Sequence, residues 1–134
     1  MQRVLVALFL TFSAAACSDG IVGSSTVNGM YTLRTLNGSK LPYVVSTSGT
    51  SKTEVLGDTI MLYEGFTFAE TKHSRTTVNG TSTDAAHTET GSFGITGNSV
   101  VLRGNDGGAL QYAVVEANVM TFVYNGLTSV FKKE

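Results

Sequence analysis

The segment FGITGNSVVL, residues 93–102, carries alternating apolar side chains on both sides of a central Gly-Asn pair. A period of two places apolar side chains on one face of a β-strand, and Gly-Asn between two such runs is typical of a two-residue hairpin turn. A turn of this length sets Ile95 opposite Val100 and Phe93 opposite Leu102. Because both pairs are apolar, the alternation and the turn independently predict the same hairpin.

The preceding Asn79-Gly80 pair predicts a second hairpin by the same argument. Its register sets Phe66 opposite Phe93 on one face and Arg75 opposite Asp84 on the other. An apolar pair and an ion pair on different faces are what a half-buried antiparallel ribbon needs. The same register also sets two like charges opposite each other, which predicts a bulge or an open rim at that point.

The pair Asn125-Gly126 predicts a third hairpin, with Tyr124 opposite Leu127 and Met120 opposite Phe131. Three-residue loops at 63–65, 105–107 and 116–118 keep the remaining apolar residues in register. The residues that these patterns direct inward are Tyr31, Leu33, Ile60, Leu62, Phe66, Phe68, Phe93, Ile95, Val100, Leu102, Leu110, Tyr112, Val114, Met120, Phe122, Tyr124, Leu127 and Phe131.

The composition agrees with an all-β chain of one domain. The 134 residues include 15 Gly, one Pro and no Trp, only 14% are charged, and no helical period follows residue 29. Eight or nine strands joined by short turns remove their edges by closing into a single antiparallel up-and-down β-barrel of about eight strands. A two-sheet sandwich is the alternative.

The first residues have the pattern of an export signal. Arg3 precedes the apolar run 4–12, and small residues follow, which is typical of a secretory signal peptide. The run is shorter than the ~20 apolar residues of a membrane-spanning helix. The sequence thus predicts a signal peptide at 1–16, a flexible tether at 17–28 that is rich in Gly, Ser and Asp, and a barrel domain at 29–134.

The residues Ala14-Ala15-Ala16-Cys17 resemble the lipobox of bacterial lipoproteins, with Ala14 where that motif usually has Leu. The resemblance implies that the Cys17 sulfur receives a diacylglyceryl group and that the new amino terminus is acylated, for example with palmitate. Cys17 has no second cysteine to pair with, which favours lipidation. By the same resemblance, Ser18 favours an outer-membrane lipoprotein facing the periplasm. Ordinary cleavage at the same bond would instead give a free secreted protein.

The segment GMYTLRTLNGSKLP, residues 29–42, resembles the opening strand of small bacterial lipocalin-like lipoprotein domains, in which G-x-[WY]-x-L precedes N-G-x-x-L-P. Residues 91–102 resemble the G-x-[YF]-x-[VI]-x-G-N-x-[IV] hairpin of the same domains. The resemblance covers most of residues 29–132 and implies a calyx-like barrel. It brings no catalytic motif.

Charge and motif patterns argue against several functions. A formal net charge of −1 leaves no basic excess for phosphates, so no nucleic-acid partner is expected. The predicted register directs His73 and His87 to opposite sides of a ribbon, so no shared metal ion and no cofactor is expected. The acidic turn at 105–108 lacks the further oxygen ligands of a calcium loop, and the Ser/Thr-rich run 46–51 lacks a nearby base and is expected to be a mobile loop.

One candidate catalytic pair remains. Glu70 and Glu89 lie opposite each other in the predicted register, and two close carboxylates can serve as acid and base. Their expected place at a rim favours a solvated pair, and the sequence predicts that the protein is not an enzyme. Only a histidine converging with both carboxylates would favour catalysis.

The leading functional hypothesis is an envelope lipoprotein whose barrel binds a small hydrophobic or amphipathic ligand. The alternative is an interaction or inhibitor module that holds another envelope protein through the segments 46–52 and 76–84. The residues predicted to line the ligand site are Tyr31, Phe66, Phe68, Glu70, Phe93, Tyr112, Phe122 and Tyr124. A core without a cavity is the simplest other explanation for these aromatic residues.

Overall fold

The computed structural model describes residues 27–134, which form ten β-strands. The predicted signal peptide at 1–16, Cys17 and the tether up to residue 26 lie outside the described residues. The strands are β1 (Gly29–Leu36), β2 (Ser39–Lys40), β3 (Tyr43–Ser48), β4 (Ser51–Leu62), β5 (Thr67–Val78), β6 (Thr81–Thr96), β7 (Ser99–Gly104), β8 (Gln111–Glu116), β9 (Val119–Tyr124) and β10 (Leu127–Lys133). Among residues 27–134 no helix is long and apolar enough to cross a membrane.

The strands of residues 27–134 form one antiparallel sheet in the order β2-β1-β10-β9-β8-β7-β6-β5-β4-β3. A further pairing of residues 29–32 in β1 with 59–62 in β4 closes the sheet. Eight strands of the described chain, β1 and β4–β10, therefore make a closed up-and-down barrel, which is consistent with a lipocalin-like barrel. Strands β2 and β3 lie outside the ring, on the free edges of β1 and β4.

The registers of the three hairpins predicted from turn residues are confirmed, except that the predicted Phe66–Phe93 pair lies just beyond the β5–β6 ladder, which starts at Thr67 and Ser92. Ile95 pairs with Val100, Arg75 with Asp84, and Tyr124 with Leu127. The two Asn-Gly turns at 79–80 and 125–126 have positive φ at both residues, as a type I′ turn requires. Local turn chemistry therefore determines most of the strand pairing.

The orientation predicted for β8 is wrong. Ala113 and Val115 are buried, whereas Tyr112 is 63% exposed and Val114 is 42% exposed. The connection before β8 spans residues 105–110 and the turn after it only 117–118, so neither is the expected three-residue loop. The short turn pairs Val115 with Met120, and Val115 therefore takes the inward face.

Two further expectations were wrong at the ends of strands. Phe66 is not inward: it occupies the 63–66 turn with φ of 62°, is 47% exposed, and packs its ring 5.6 Å from that of Phe93. The segment 46–51 is not a free loop, because it belongs to the β3–β4 hairpin. Thr50 Oγ1 there donates a hydrogen bond to Asn79 Oδ1 at 2.6 Å, which ties this turn to the β5–β6 turn.

The two ends of the barrel differ. The end with the turns at 63–66, 97–98 and 117–118 is filled by core side chains, and we call it the closed end. Val27, within the predicted tether, is 1% exposed there and accepts a hydrogen bond from the Tyr31 hydroxyl at its carbonyl, 2.8 Å away. The end with the 105–110 loop and the 125–126 turn is the open end, beyond which the tips of β3–β6 project.

Candidate functional site

A cavity of about 380 Å³ enters the barrel at its open end. Its floor is apolar and includes Leu33, Ile60, Phe122 and Phe131, all of which are buried core residues. The 106–112 segment forms part of the rim. A volume of this size lies near the lower limit of pockets that enclose one small ligand.

One side of the cavity is polar, and it is made by three adjacent strands. Asp58 on β4, Glu70 on β5 and Glu89 on β6 line it, and we call these three residues the acidic wall. Their positions follow from strand pairing, because Ile60 lies opposite Glu70 and Glu70 lies opposite Glu89. The like-charged Glu70–Glu89 pair causes no bulge in the β5–β6 ladder. It is also not the solvated rim pair that was expected, because Glu70 is buried and its Oε1 lies 3.3 Å from Lys72 Nζ.

Lys72 is the cation of the site. It lies opposite Asp58 in the β4–β5 ladder, and its Nζ is 3.5 Å from Asp58 Oδ2 and 3.3 Å from Glu70 Oε1. Burial by itself lowers the pKa of Lys72, but the Asp58 and Glu70 carboxylates outweigh it and the net pKa is raised. Lys72 therefore stays protonated and bridges two of the three carboxylates.

Asp58 is the most buried member of the acidic wall, with 3% of its surface exposed. Burial, followed by repulsion from the Glu70 carboxylate, raises the pKa of Asp58 to about 8. Its Oδ1 atom is buried and accepts no hydrogen bond in the part of the chain that the structure describes. A hydrogen bond that the protonated Asp58 carboxyl makes with Glu70 contributes to the raised pKa. The site thus contains a carboxyl group that is mostly protonated near neutral pH and has an unused oxygen.

Two glycines make room for the polar wall and the ring beneath it. A Cβ at Gly104 would overlap the Glu89 carboxylate, and one at Gly91 would overlap both the Arg103 carbonyl oxygen and the Phe68 ring. Glu89 can therefore fold against β7 at the rim. Burial, then the charges of Asp106 and Glu70, raise the pKa of Glu89.

The residues predicted for the ligand site divide into three groups. Glu70, Phe122, Tyr112 and Tyr124 line the cavity, the two tyrosines at its exposed rim. Tyr31, Phe68 and Phe93 are buried but lie outside the lining, where they fill the barrel below the cavity. Phe66 lies at the closed end. Whether the lining residues bind a ligand stays a prediction.

The histidines are placed as the hairpin register predicts, His73 opposite Ala86 and His87 opposite Lys72. Neither lines the cavity, although His87 lies on the same face as Glu89 and is close enough to act on the pKa of that carboxyl group. Within residues 27–134, no group of three or more His, Cys, Asp or Glu residues is arranged to hold a metal ion. Asp106 Oδ1 instead accepts a hydrogen bond from the Gly108 amide at 2.9 Å, within its own loop.

Asp58 and Lys72 are the site residues that the sequence interpretation missed. The signal for Asp58 was present, because the period of two that directs Leu62 and Ile60 inward reaches Asp58 next. The position of Lys72 follows from its pairing with Asp58 across the β4–β5 hairpin. Both were missed because charged residues are rarely buried, so a charged residue normally argues that its strand face points to solvent.

Comparison with known proteins adds no relative: no family model, no curated protein and no solved structure matches the chain. The site is therefore interpreted from its own geometry.

Proposed function

We propose that the chain is a bacterial envelope lipoprotein, anchored through Cys17, whose lipocalin-like barrel binds one small hydrophobic or amphipathic molecule without converting it. The observation that supports binding is the cavity of about 380 Å³, with an apolar floor and a polar wall at one end of a closed barrel. The lipobox-like residues at 14–17 support the anchor.

The direction of the chain supports an arrangement for this binding. Val27 meets the barrel at its closed end, where β1 begins, and the cavity opens at the opposite end. A lipid on Cys17 would therefore hold the closed end toward the membrane and leave the open end facing the periplasm. In this arrangement the ligand reaches the barrel from the aqueous side.

Native mass spectrometry of the protein, purified gently from the envelope of its own host, tests the proposal. We expect a mass that includes the acyl groups on Cys17 and one additional small molecule. Ser129 lines the cavity on β10, so Ser129→Phe should fill it and release that molecule. Thr128→Phe, at the neighbouring β10 position outside the lining, is the matched control and should retain it. A protein that carries only its own acyl groups would contradict ligand binding.

The interaction module remains a second candidate because of one observation. Strand β3 is an edge of the sheet in the described chain, and Val44 and Val45 on it are 42% and 44% exposed. An exposed edge strand can pair with a strand of another protein. The Thr50–Asn79 hydrogen bond joins this edge to the β5–β6 tip, so the two predicted contact segments form one surface.

Cross-linking in intact cells tests this second function. Val44→Lys together with Val45→Lys should abolish any adduct that forms through the β3 edge, because charges on an edge strand oppose pairing. Val114→Lys, on the outer face of β8, should leave the adduct unchanged. Identical adducts from both variants would contradict an interface at β3.

A further inference from the structure

The charge of the acidic wall is unbalanced. Three carboxyl groups, those of Asp58, Glu70 and Glu89, face one ammonium group, that of Lys72, across the same side of the cavity. Lys72 is already within 3.5 Å of Asp58 and 3.3 Å of Glu70, so its charge is committed to these two partners. An anionic ligand head would have to displace one of them and would face the remaining carboxylates. A cationic head would pair with the wall and take the place of the proton that Asp58 carries near neutral pH.

Asp58 also lacks a hydrogen-bond donor. Its side chain is 3% exposed, Oδ2 faces Lys72, and Oδ1 accepts no hydrogen bond from the described part of the chain. A buried polar atom without a partner is rare in folded proteins. Asp58 belongs to the cavity lining, but Oδ1 itself is covered, so a donor in the cavity reaches this atom only when neighbouring side chains move.

We propose that the ligand is a cationic amphiphile, whose apolar part packs on the Leu33, Ile60 and Phe131 floor and whose ammonium group donates a hydrogen bond to Asp58 Oδ1. This inference rests on the proposed ligand-binding function and specifies its ligand class. The Glu70 and Glu89 carboxylates supply the remaining opposite charge. The role of Lys72 is to hold Asp58 and Glu70 in place while the cavity is empty.

Binding of this kind is coupled to protons. The groups that face Asp58 are Glu70 and Lys72 on β5, with Glu89 and His87 on β6 and Asp106 at the rim beyond them. The empty site holds a proton on Asp58 below pH 8. A bound cation favours the ionised carboxylate and releases that proton, so affinity for a cation increases as the pH rises from 6 to 8. An uncharged ligand would show no such increase.

Isothermal titration with three probes of equal chain length tests the inference: octylamine, octanol and octanoate. The exported chain with Cys17→Ser is used, because it cannot be acylated and needs no detergent. We expect octylamine to bind at least about tenfold more tightly than octanol, in line with one charge-assisted hydrogen bond. Octanoate should bind least tightly. Titrations in two buffers of different ionisation enthalpy should show proton release with octylamine alone.

Variants test whether the preference for octylamine over octanol arises from the acidic wall. Glu89→Gln and Asp58→Asn should each reduce the preference for octylamine over octanol by about fivefold or more, because each removes a carboxylate from the wall. Glu116→Gln, an exposed change on β8, is the matched control and should keep the preference. Glu89→Gln keeps the test valid if Asp58→Asn disturbs folding, since Glu89 lies at the rim.

The outcomes separate this inference from the function on which it rests. Equal binding of the three probes in the cavity, or tighter binding of octanoate, would overturn the cationic ligand and leave ligand binding intact. No binding of any probe would overturn both. A preference for octylamine that survives both Asp58→Asn and Glu89→Gln would overturn the assignment of the head group to the acidic wall.

Discussion

Asp58 shows how a charged residue is retained inside a small barrel. The register shift between Val55 and Gly57 on β4 comes just before it, and the regular β4–β5 ladder from residue 57 onward then directs Asp58 toward the cavity opposite Lys72. Burial of a carboxyl group is tolerated because it can remain protonated and because an ammonium group lies nearby. The free-energy cost of burying the Asp58 carboxyl group therefore depends on pH.

The pH dependence of stability follows from the raised pKa of Asp58. In the unfolded chain this carboxyl has its ordinary pKa of 3.8, and in the native protein its pKa is about 8. Between these values the native state binds more protons, so the stability due to Asp58 is fully present below pH 4 and is lost as the pH rises through 8. The Asp58→Asn variant should lose this dependence, which is at most about 1.4 kcal/mol per pH unit.

Urea unfolding at pH 5, 7 and 9 measures this effect. The unmodified protein and the Glu116→Gln control should become less stable from pH 5 to pH 9, and Asp58→Asn should change less. Parallel curves for Asp58→Asn and the control would show that Asp58 keeps its ordinary pKa in the folded state.

Gly91 and Gly94 on β6 provide a matched pair for the packing beneath the acidic wall. A Cβ at Gly91 would overlap the Arg103 carbonyl oxygen and the Phe68 ring, whereas a Cβ at Gly94 would meet nothing within 4 Å. We expect Gly91→Ala to lower the free energy of unfolding by about 1–3 kcal/mol, as overpacking does. Gly94→Ala should leave it within about 0.5 kcal/mol. Equal effects in thermal or urea unfolding would contradict the close approach of β6 and β7.

At the scale of elements, turn chemistry made most of the fold predictable. The Asn79-Gly80, Gly97-Asn98 and Asn125-Gly126 pairs each specify a two-residue turn, and a two-residue turn specifies the register of both its strands. For this reason the turn residues alone are sufficient to place Glu70 opposite Glu89. Such arguments work because each residue in a tight hairpin has one partner at a known separation.

Strand β8 could not be predicted because its pattern is ambiguous. Tyr112, Ala113, Val114 and Val115 are all apolar, so both faces of the strand satisfy an alternating pattern. The six-residue connection at 105–110 carries no turn signal of fixed length that would decide between the faces. The two-residue turn at 117–118 determines which face of β8 is inward. Its first residue, Ala117, has φ of 52°, a conformation that is uncommon for alanine and therefore not expected from the sequence.

Isosteric substitutions test the orientation of β8. Val115 is 1% exposed and Val114 is 42% exposed. Val115→Thr buries a hydroxyl group, and we expect it to lower the free energy of unfolding by about 1–3 kcal/mol. Val114→Thr should change it by no more than about 0.5 kcal/mol. If Val114→Thr were the more destabilising change in urea unfolding, Val114 and not Val115 would face the core.

At the scale of the whole molecule, closure depends on contacts that are distant in sequence. Only residues 29–32 of β1 pair with 59–62 of β4. Beyond these residues, β1 pairs with β2 and β4 pairs with β3 instead. The partly buried Leu41 and Tyr43 pack against the core beside this junction. A meander of short hairpins indicates a barrel but does not reveal where its first and last strands meet. It also does not reveal how deep an interior cavity is, since this depends on the packing of side chains from all eight strands.

We propose that the open end of the barrel holds one small amphiphile above the apolar floor. Methyl NMR of the exported Cys17→Ser chain, titrated with octylamine, tests it most directly. We expect saturable shifts at a single site, largest for Leu33, Ile60 and Leu127, which line the cavity, and small for Val44 and Val45 on the β3 edge. Unchanged floor methyl signals, or shifts that fail to saturate and spread over the exposed valines, would contradict it.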